Sequence, residues 1–169
     1  MKQILVRTER CTGCKTCELA CSIAHSEAKD LLGAVLKAEK PVRRVSVETN
    51  ADRTMNLPVQ CRHCQDPKCV SACMTGAMHL DRETGLVLNR AEKCVGCWMC
   101  VMVCPYGVIT PSEAQKVAVK CDQCLSEGHD PACVKSCPTS ALKFLDIKSF
   151  DKLVKKGFLL RFISEEEAK

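Results

Sequence analysis

Sixteen of the 169 residues are cysteine, and their arrangement in four groups of four governs what this chain can fold into. The groups are Cys11, Cys14, Cys17 and Cys21; Cys61, Cys64, Cys69 and Cys73; Cys94, Cys97, Cys100 and Cys104; and Cys121, Cys124, Cys133 and Cys137. Each opens C-x2-C and closes C-x3-C, and only the middle spacer varies, through two, four, two and eight residues. Such repetition points to one unit used several times. The first and third groups have the bacterial ferredoxin spacing C-x2-C-x2-C-x3-C, completed by Pro105 in the third. Pro138 follows the fourth group, while Ser22 and Met74 replace proline after the other two.

The spacing has a geometric reason. Three close cysteines wrap a loop around one cubane and present thiolates to three irons. The third and fourth, four positions apart, lie about one helical turn apart on one face. In two-cluster ferredoxins the fourth cysteine ligates the other cluster, which links two motifs into one module. Spacing alone leaves open which motifs are linked. Zinc also accepts four thiolates, but its sites usually join two separate C-x2-C knuckles, so the compact groups favour cubanes. Disulfides need an oxidising compartment. The opening MKQILVRTERC has charges at Lys2, Arg7, Glu9 and Arg10, with neither an apolar stretch nor a twin-arginine signal. The expectation is a reducing cytoplasm. No run approaches the roughly 18 apolar residues of a membrane span, so the expectation is a chain with no transmembrane segment.

Composition explains why cysteine chemistry matters for folding as well. Aromatic residues make up 4 % of the chain, so large rings cannot fill much of a core. The formal charge is +5 with thiols counted as neutral. Sixteen thiolates add sixteen negative charges and four cores in the 2+ state return eight, bringing the balance to about −3. The basic excess thus compensates anionic clusters, and no aromatic–basic platform supports nucleic-acid binding. Neither a dinucleotide fingerprint nor a P-loop occurs, and no nucleophile–base set stands out. The expectation is a carrier, not an enzyme.

Periodicity predicts short elements. Strands are expected at residues 4–7, 42–48, 78–80, 86–88, 117–119 and 142–145, with the third and fourth forming a hairpin across Asp81–Gly85. Helices are expected at 16–24, 68–73, 98–104, 132–137 and 150–156. Residues 31–36, LLGAVL, read as a packed connector beside a basic face of Lys37, Lys40, Arg43 and Arg44. Met99 and Met102 read as core filler, and Trp98 and Tyr106 as packing against the third motif. His25, His63 and His129 have complete motifs beside them, so they read as hydrogen-bonding neighbours, not ligands. Lys15, Lys68, Lys93 and Lys120 adjoin ligands and read equally as charges that raise local cluster potentials and as solvated surface charges.

The four groups, with the phrases HCQDPKCVSAC, CVGCWMCVMVCPYGVI and KCDQC, resemble the four-cluster [4Fe–4S] ferredoxin family that serves dimethyl sulfoxide reductases, formate dehydrogenases and hydrogenases. The likeness covers about residues 3–147. The opening CTGCKTCELACSIAHS is most similar to the CooF-type iron–sulfur partners of anaerobic carbon monoxide dehydrogenase. The resemblance implies an α+β fold of two nested ferredoxin-like modules organised around four [4Fe–4S] clusters. Motifs one and four would form an outer module, residues 1–57 plus 113–147; motifs two and three an inner one, 58–112; and 148–169 a C-terminal helical extension. It implies the ligand sets Cys11, Cys14, Cys17 with Cys137; Cys121, Cys124, Cys133 with Cys21; Cys61, Cys64, Cys69 with Cys104; and Cys94, Cys97, Cys100 with Cys73. The donor it implies is carbon monoxide dehydrogenase, and the acceptor a hydrogenase or flavin oxidoreductase. Related subunits of formate dehydrogenase, hydrogenase, aldehyde oxidoreductase or molybdoenzymes are the alternative within the class. A zinc-stapled interaction module is the alternative outside it.

Overall fold

The computed structural model describes residues 2–146 and residue 155. The C-terminal extension, with the helix expected at 150–156, lies outside the described residues but for Lys155. In chain order the elements are β1 (Lys2–Val6), α1 (Thr16–Ala24), α2 (Leu31–Leu36), β2 (Val45–Thr49), β3 (Asn56–Gln60), α3 (Lys68–Ser71), β4 (Met78–Leu80), β5 (Val87–Asn89), α4 (Met99–Met102), β6 (Thr110–Ser112), β7 (Val117–Val119), α5 (Ala132–Lys135) and β8 (Leu142–Asp146).

Among the described residues the strands form four two-stranded antiparallel ribbons: β1–β8, β2–β3, β4–β5 and β6–β7. An isolated two-stranded ribbon is marginal in water, so each must lean on something else. β1 pairs with β8 from Lys2↔Asp146 to Val6↔Leu142, bringing the start of the chain beside residues that follow the fourth motif. α1 packs on α5, and α3 on α4. The β4–β5 hairpin turns where expected, because the Asp81 carboxylate accepts from the Thr84 amide at 3.0 Å and from its hydroxyl.

Two apolar cores result. One gathers Ile4, Val45, Val47 and Leu142 around Cys17, Cys21, Cys121 and Cys133, so half its buried members are cysteines. The other gathers Met78, Val87, Ile109 and Ala118 around Cys100. The β6–β7 hairpin straddles the boundary expected at 112/113, and Ala118 of β7 packs in the second core. β3 likewise straddles 57/58 while paired with β2.

Three elements were not legible from periodicity. β3 and β6 contain Pro58 and Pro111, which argue against a strand in a wide sheet. In a two-stranded ribbon every strand is an edge, and proline is tolerated there. α2 replaces the packed connector expected at 31–36. Asp30 caps it by accepting from the Gly33 amide at 2.7 Å, and Glu39 closes the loop through the Glu27 and Ala28 amides. These bonds hold the helix without burial. Only Ala34 is buried, and Leu36 is 77 % exposed. Met99 and Met102 also correct the sequence reading. The four-residue α4 turns Cys100 and Val101 inward, which leaves Met102 79 % exposed instead of filling a core.

Candidate metal centres

The same turn is built four times. In every C-x2-C pair the residue before the second cysteine has positive φ: Gly13 at 71°, His63 at 47°, Gly96 at 66° and Gln123 at 57°. Motifs one and three use glycine, the residue that adopts this conformation without steric cost. Motifs two and four use side chains that are tied down. The Val87 amide donates to His63 Nδ1 at 3.1 Å, and His129 Nε2 lies 3.0 Å from Gln123 Oε1. His129, in the long spacer of the fourth motif, also meets the Phe144 ring edge-on at 5.1 Å.

At Gly96 a Cβ would stand 2.7 Å from the Lys116 carbonyl oxygen. Gly96→Ala is therefore expected to cost about 1–2 kcal/mol from the left-handed backbone alone, before relief of that clash. Iron content and thermal melting of the anaerobically purified variant check this. An unchanged melting temperature with full iron would contradict it.

The turns bring thiols of different motifs together. Cys11, Cys14, Cys17 and Cys137 line one hollow of about 300 Å³, measured out to its open mouth. Cys61, Cys64, Cys69 and Cys104 line a second of about 360 Å³, with Arg62 and Tyr106 at its wall. Burial raises the Cys100 thiol, and Cys94, Cys73 and Cys97 raise it further as neighbours. Burial raises Cys133 too, helped by Cys121, Cys21 and Cys124. In both hollows three cysteines of one motif meet the last cysteine of another.

Burial makes a free thiolate costly at several of these positions. Burial pushes Cys17 and Cys69 up to about 11 and Cys121 up to about 12. Without a metal these thiols are neutral at physiological pH, and metal loading must release their protons. The last cysteine of a motif has a different setting. Burial would also raise Cys73 and Cys137, but hydrogen bonds outweigh it and lower both. The Met78 amide donates to Cys73 Sγ at 3.3 Å and the Ala141 amide to Cys137 Sγ at 3.2 Å. The Arg44 amide donates to Cys21 Sγ at 3.3 Å. Such N–H···S bonds are among the protein's means of setting a cluster's potential.

Several neighbours of the thiols had no signal in the spacing. Asp122 accepts from Arg44 Nη1 at 2.6 Å and lies 3.3 Å from His25 Nε2. Burial works against protonation of His25, yet its bonds to Asp122 and Cys21 raise it to about 9, so the imidazolium persists at neutral pH. Burial works against ionised Asp122 as well, but His25 and Arg44 hold it well below the carboxylate range. Glu18 of α1 accepts from the Val47 amide at 2.6 Å and ties β2 to the first motif. Of the four lysines beside ligands, Lys15, Lys68 and Lys93 are exposed, whereas Lys120 is buried.

Two observations bear on whether iron–sulfur clusters fit these sites. All sixteen thiols are free of disulfides, and the two hollows each present four of them, the donor set a cubane requires. His63, between Cys61 and Cys64, is 2 % exposed, and among the described residues its Nε2 has no hydrogen-bond partner. An orphaned buried donor calls for an acceptor, and inorganic sulfide or thiolate supplies one. The residues fit the group.

Comparison with known proteins agrees. Residues 52–147 match the 4Fe-4S dicluster domain model, and residues 8–24 match a 4Fe-4S binding domain model. The chain belongs to the 4Fe-4S dicluster ferredoxin family. Members of this family similar to it include an "Iron-sulfur protein" of Rhodospirillum rubrum, 38 % identical, with 87 % of this chain covering 83 % of that one. The B subunit of the Escherichia coli anaerobic dimethyl sulfoxide reductase is 39 % identical, with 89 % of this chain covering 75 % of it. The Escherichia coli putative electron transport protein YsaA is 33 % identical, with 88 % of this chain covering 92 % of it. Like the family, this chain binds [4Fe–4S] clusters and is an iron–sulfur electron-transfer protein. Among the described residues no helix is long and apolar enough to cross a membrane.

Proposed function

We propose that this chain is the electron-transfer subunit of an oxidoreductase complex and relays single electrons through four [4Fe–4S] clusters. The clusters are held by Cys11, Cys14, Cys17 and Cys137; by Cys121, Cys124, Cys133 and Cys21; by Cys61, Cys64, Cys69 and Cys104; and by Cys94, Cys97, Cys100 and Cys73. The meeting of Cys137 with the first motif and of Cys104 with the second carries this reading. The β1–β8 ribbon and the α1–α5 contact support an outer module of motifs one and four. The α3–α4 contact supports an inner module of motifs two and three, which takes in β6 and β7.

When bound, the clusters supply one-electron chemistry between the 2+ and 1+ states. The chain's own part is to bind and insulate them. The four left-handed turns hold three thiols apart at the corners of each site. The short helices α1, α3, α4 and α5 deliver the last thiol of each motif to its partner. Amides of Arg44, Met78 and Ala141 steady the sulfur of Cys21, Cys73 and Cys137. Apolar packing by Ile4, Val47, Met78 and Val87 keeps water from the sites.

For the donor, the opening CTGCKTCELACSIAHS supports carbon monoxide dehydrogenase. A hydrogenase or flavin oxidoreductase is then the acceptor. A second reading places the chain beside a molybdoenzyme, favoured by its 39 % identity to the dimethyl sulfoxide reductase B subunit. Anaerobic co-purification from native cells decides between them. Carbon monoxide dehydrogenase travelling with the chain, and reducing it under carbon monoxide, is expected. A molybdopterin-containing partner in its place establishes the second reading. Four zinc ions with no iron would sink both.

A further inference from the structure

Lys120 is 4 % exposed, although an ammonium group is costly to bury without an opposite charge. Its Nζ donates to the Val87 carbonyl and, at 2.8 Å, to the Cys121 carbonyl. Among the described residues neither partner is a carboxylate. The nearest acid in sequence, Asp122, is engaged by Arg44 and His25. Carbonyl dipoles orient the ammonium but do not neutralise it, so the compensating charge must come from something else buried nearby. A cubane with four thiolates in the 2+ state carries a net charge of −2, and Lys120 sits next to Cys121 of one proposed site.

The placement is specific. Lys120 immediately precedes Cys121, of the fourth motif. It also binds β5 at Val87, whose amide donates in turn to His63 between Cys61 and Cys64. One residue of β5 therefore joins the fourth motif's lysine to the second motif's histidine. The ammonium thus stands beside Cys121 and one hydrogen-bonded strand residue away from the turn that holds Cys61 and Cys64. His63 accepts the Val87 amide at Nδ1, so it enters this path as an acceptor and not as a second cation. That leaves Lys120 as the cation shared between the two motifs along this hydrogen-bonded path.

We propose that Lys120 is a positioning residue that sets the potentials of two clusters together: the one held by Cys61, Cys64, Cys69 and Cys104, and the one held by Cys121, Cys124, Cys133 and Cys21. The proposal rests on the four-cluster assignment above. Reduction adds one negative charge to a cluster, and a fixed buried cation stabilises the reduced form. The charge raises both potentials and leaves the other two clusters little changed. Electrons then settle on the pair that faces across from motif two to motif four.

The test is an EPR-monitored redox titration of the full chain, purified anaerobically. Wild type must first show iron near sixteen per chain and four one-electron transitions; failure here would overturn the four-cluster assignment, whatever Lys120 does. Lys120→Gln removes the charge but keeps an N–H donor on the side chain. Two midpoints are expected to fall by at least tenfold in the reduction equilibrium, about 59 mV for one electron, while two stay in place. Lys120→Arg is expected to hold all four near wild type. No shift, a shift of one midpoint alone, or an equal shift of all four would overturn the proposal. So would loss of iron from both Lys120→Gln and Lys120→Met, which would make the lysine a scaffold residue only.

Discussion

Stripping the clusters from this protein is expected to unfold it. Half the buried residues of the first core are cysteines, and the ribbons they support have two strands each. With aromatics at 4 %, little else can fill the space between them. A metal-free chain keeps thiols that burial has driven to about 11 or 12, and so loses every thiolate–metal bond while its core opens. In small metalloproteins the binding free energy of the metal is the folding free energy, and about 10 kcal/mol or more can ride on one structural site. Anaerobic preparations should therefore melt cooperatively, with near-UV circular dichroism intact. Chelator with ferricyanide, or acid below the thiolate range, should abolish both signals as iron leaves. A metal-free chain that still melts cooperatively would refute this.

The second large effect concerns which thiols share a cluster. Cys73→Ala paired with Cys94→Ala removes two ligands from one proposed site and should disable one cluster. Cys73→Ala paired with Cys61→Ala removes one ligand from each of two sites and should damage two. The comparison reads non-additivity between neighbours against additivity between distant sites. Iron analysis and EPR spin counting on each double variant give the number of intact clusters. The contrast should be about three intact in the first case and two in the second. The reverse order would mean that each motif closes on itself, and that the last cysteine of the second motif serves its own loop.

Local structure was legible wherever local chemistry decides it. α1 and β7 fall at the predicted residues 16–24 and 117–119, and the β4–β5 hairpin turns at Asp81. α3, α4 and α5 each stop short of the last cysteine, because four residues are enough to carry the thiol across. Prolines hid β3 and β6. The fate of residues 31–36 was misjudged because apolar content implies burial only when a partner surface exists, and loop hydrogen bonds can hold a helix without one. Met99 and Met102 fail the same way, on a helix too short to have more than one inward face.

Among the candidate ligands, all sixteen cysteines were visible from spacing, since every group opens and closes with thiols three and four positions apart. Their neighbours were not. Lys15, Lys68, Lys93 and Lys120 look alike in the sequence, each beside a cysteine. Only the approach of β5, from another motif, buries Lys120 and points its ammonium at Val87. His63 looks like any histidine until the same strand takes its Nδ1 and leaves Nε2 without a partner.

The sequence by itself determined the chemistry: four thiol quartets, a ring-poor core that leans on them, and glycine at two of the four positions where the C-x2-C turn takes positive φ. Spacing encodes these because they act over a few bonds. Spacing leaves open which quartet faces which, and the burial of Lys120 was decided by tertiary structure. Those contacts join residues such as Cys11 and Cys137, or Lys120 and Val87, that are far apart along the chain and meet through packing that no local pattern records.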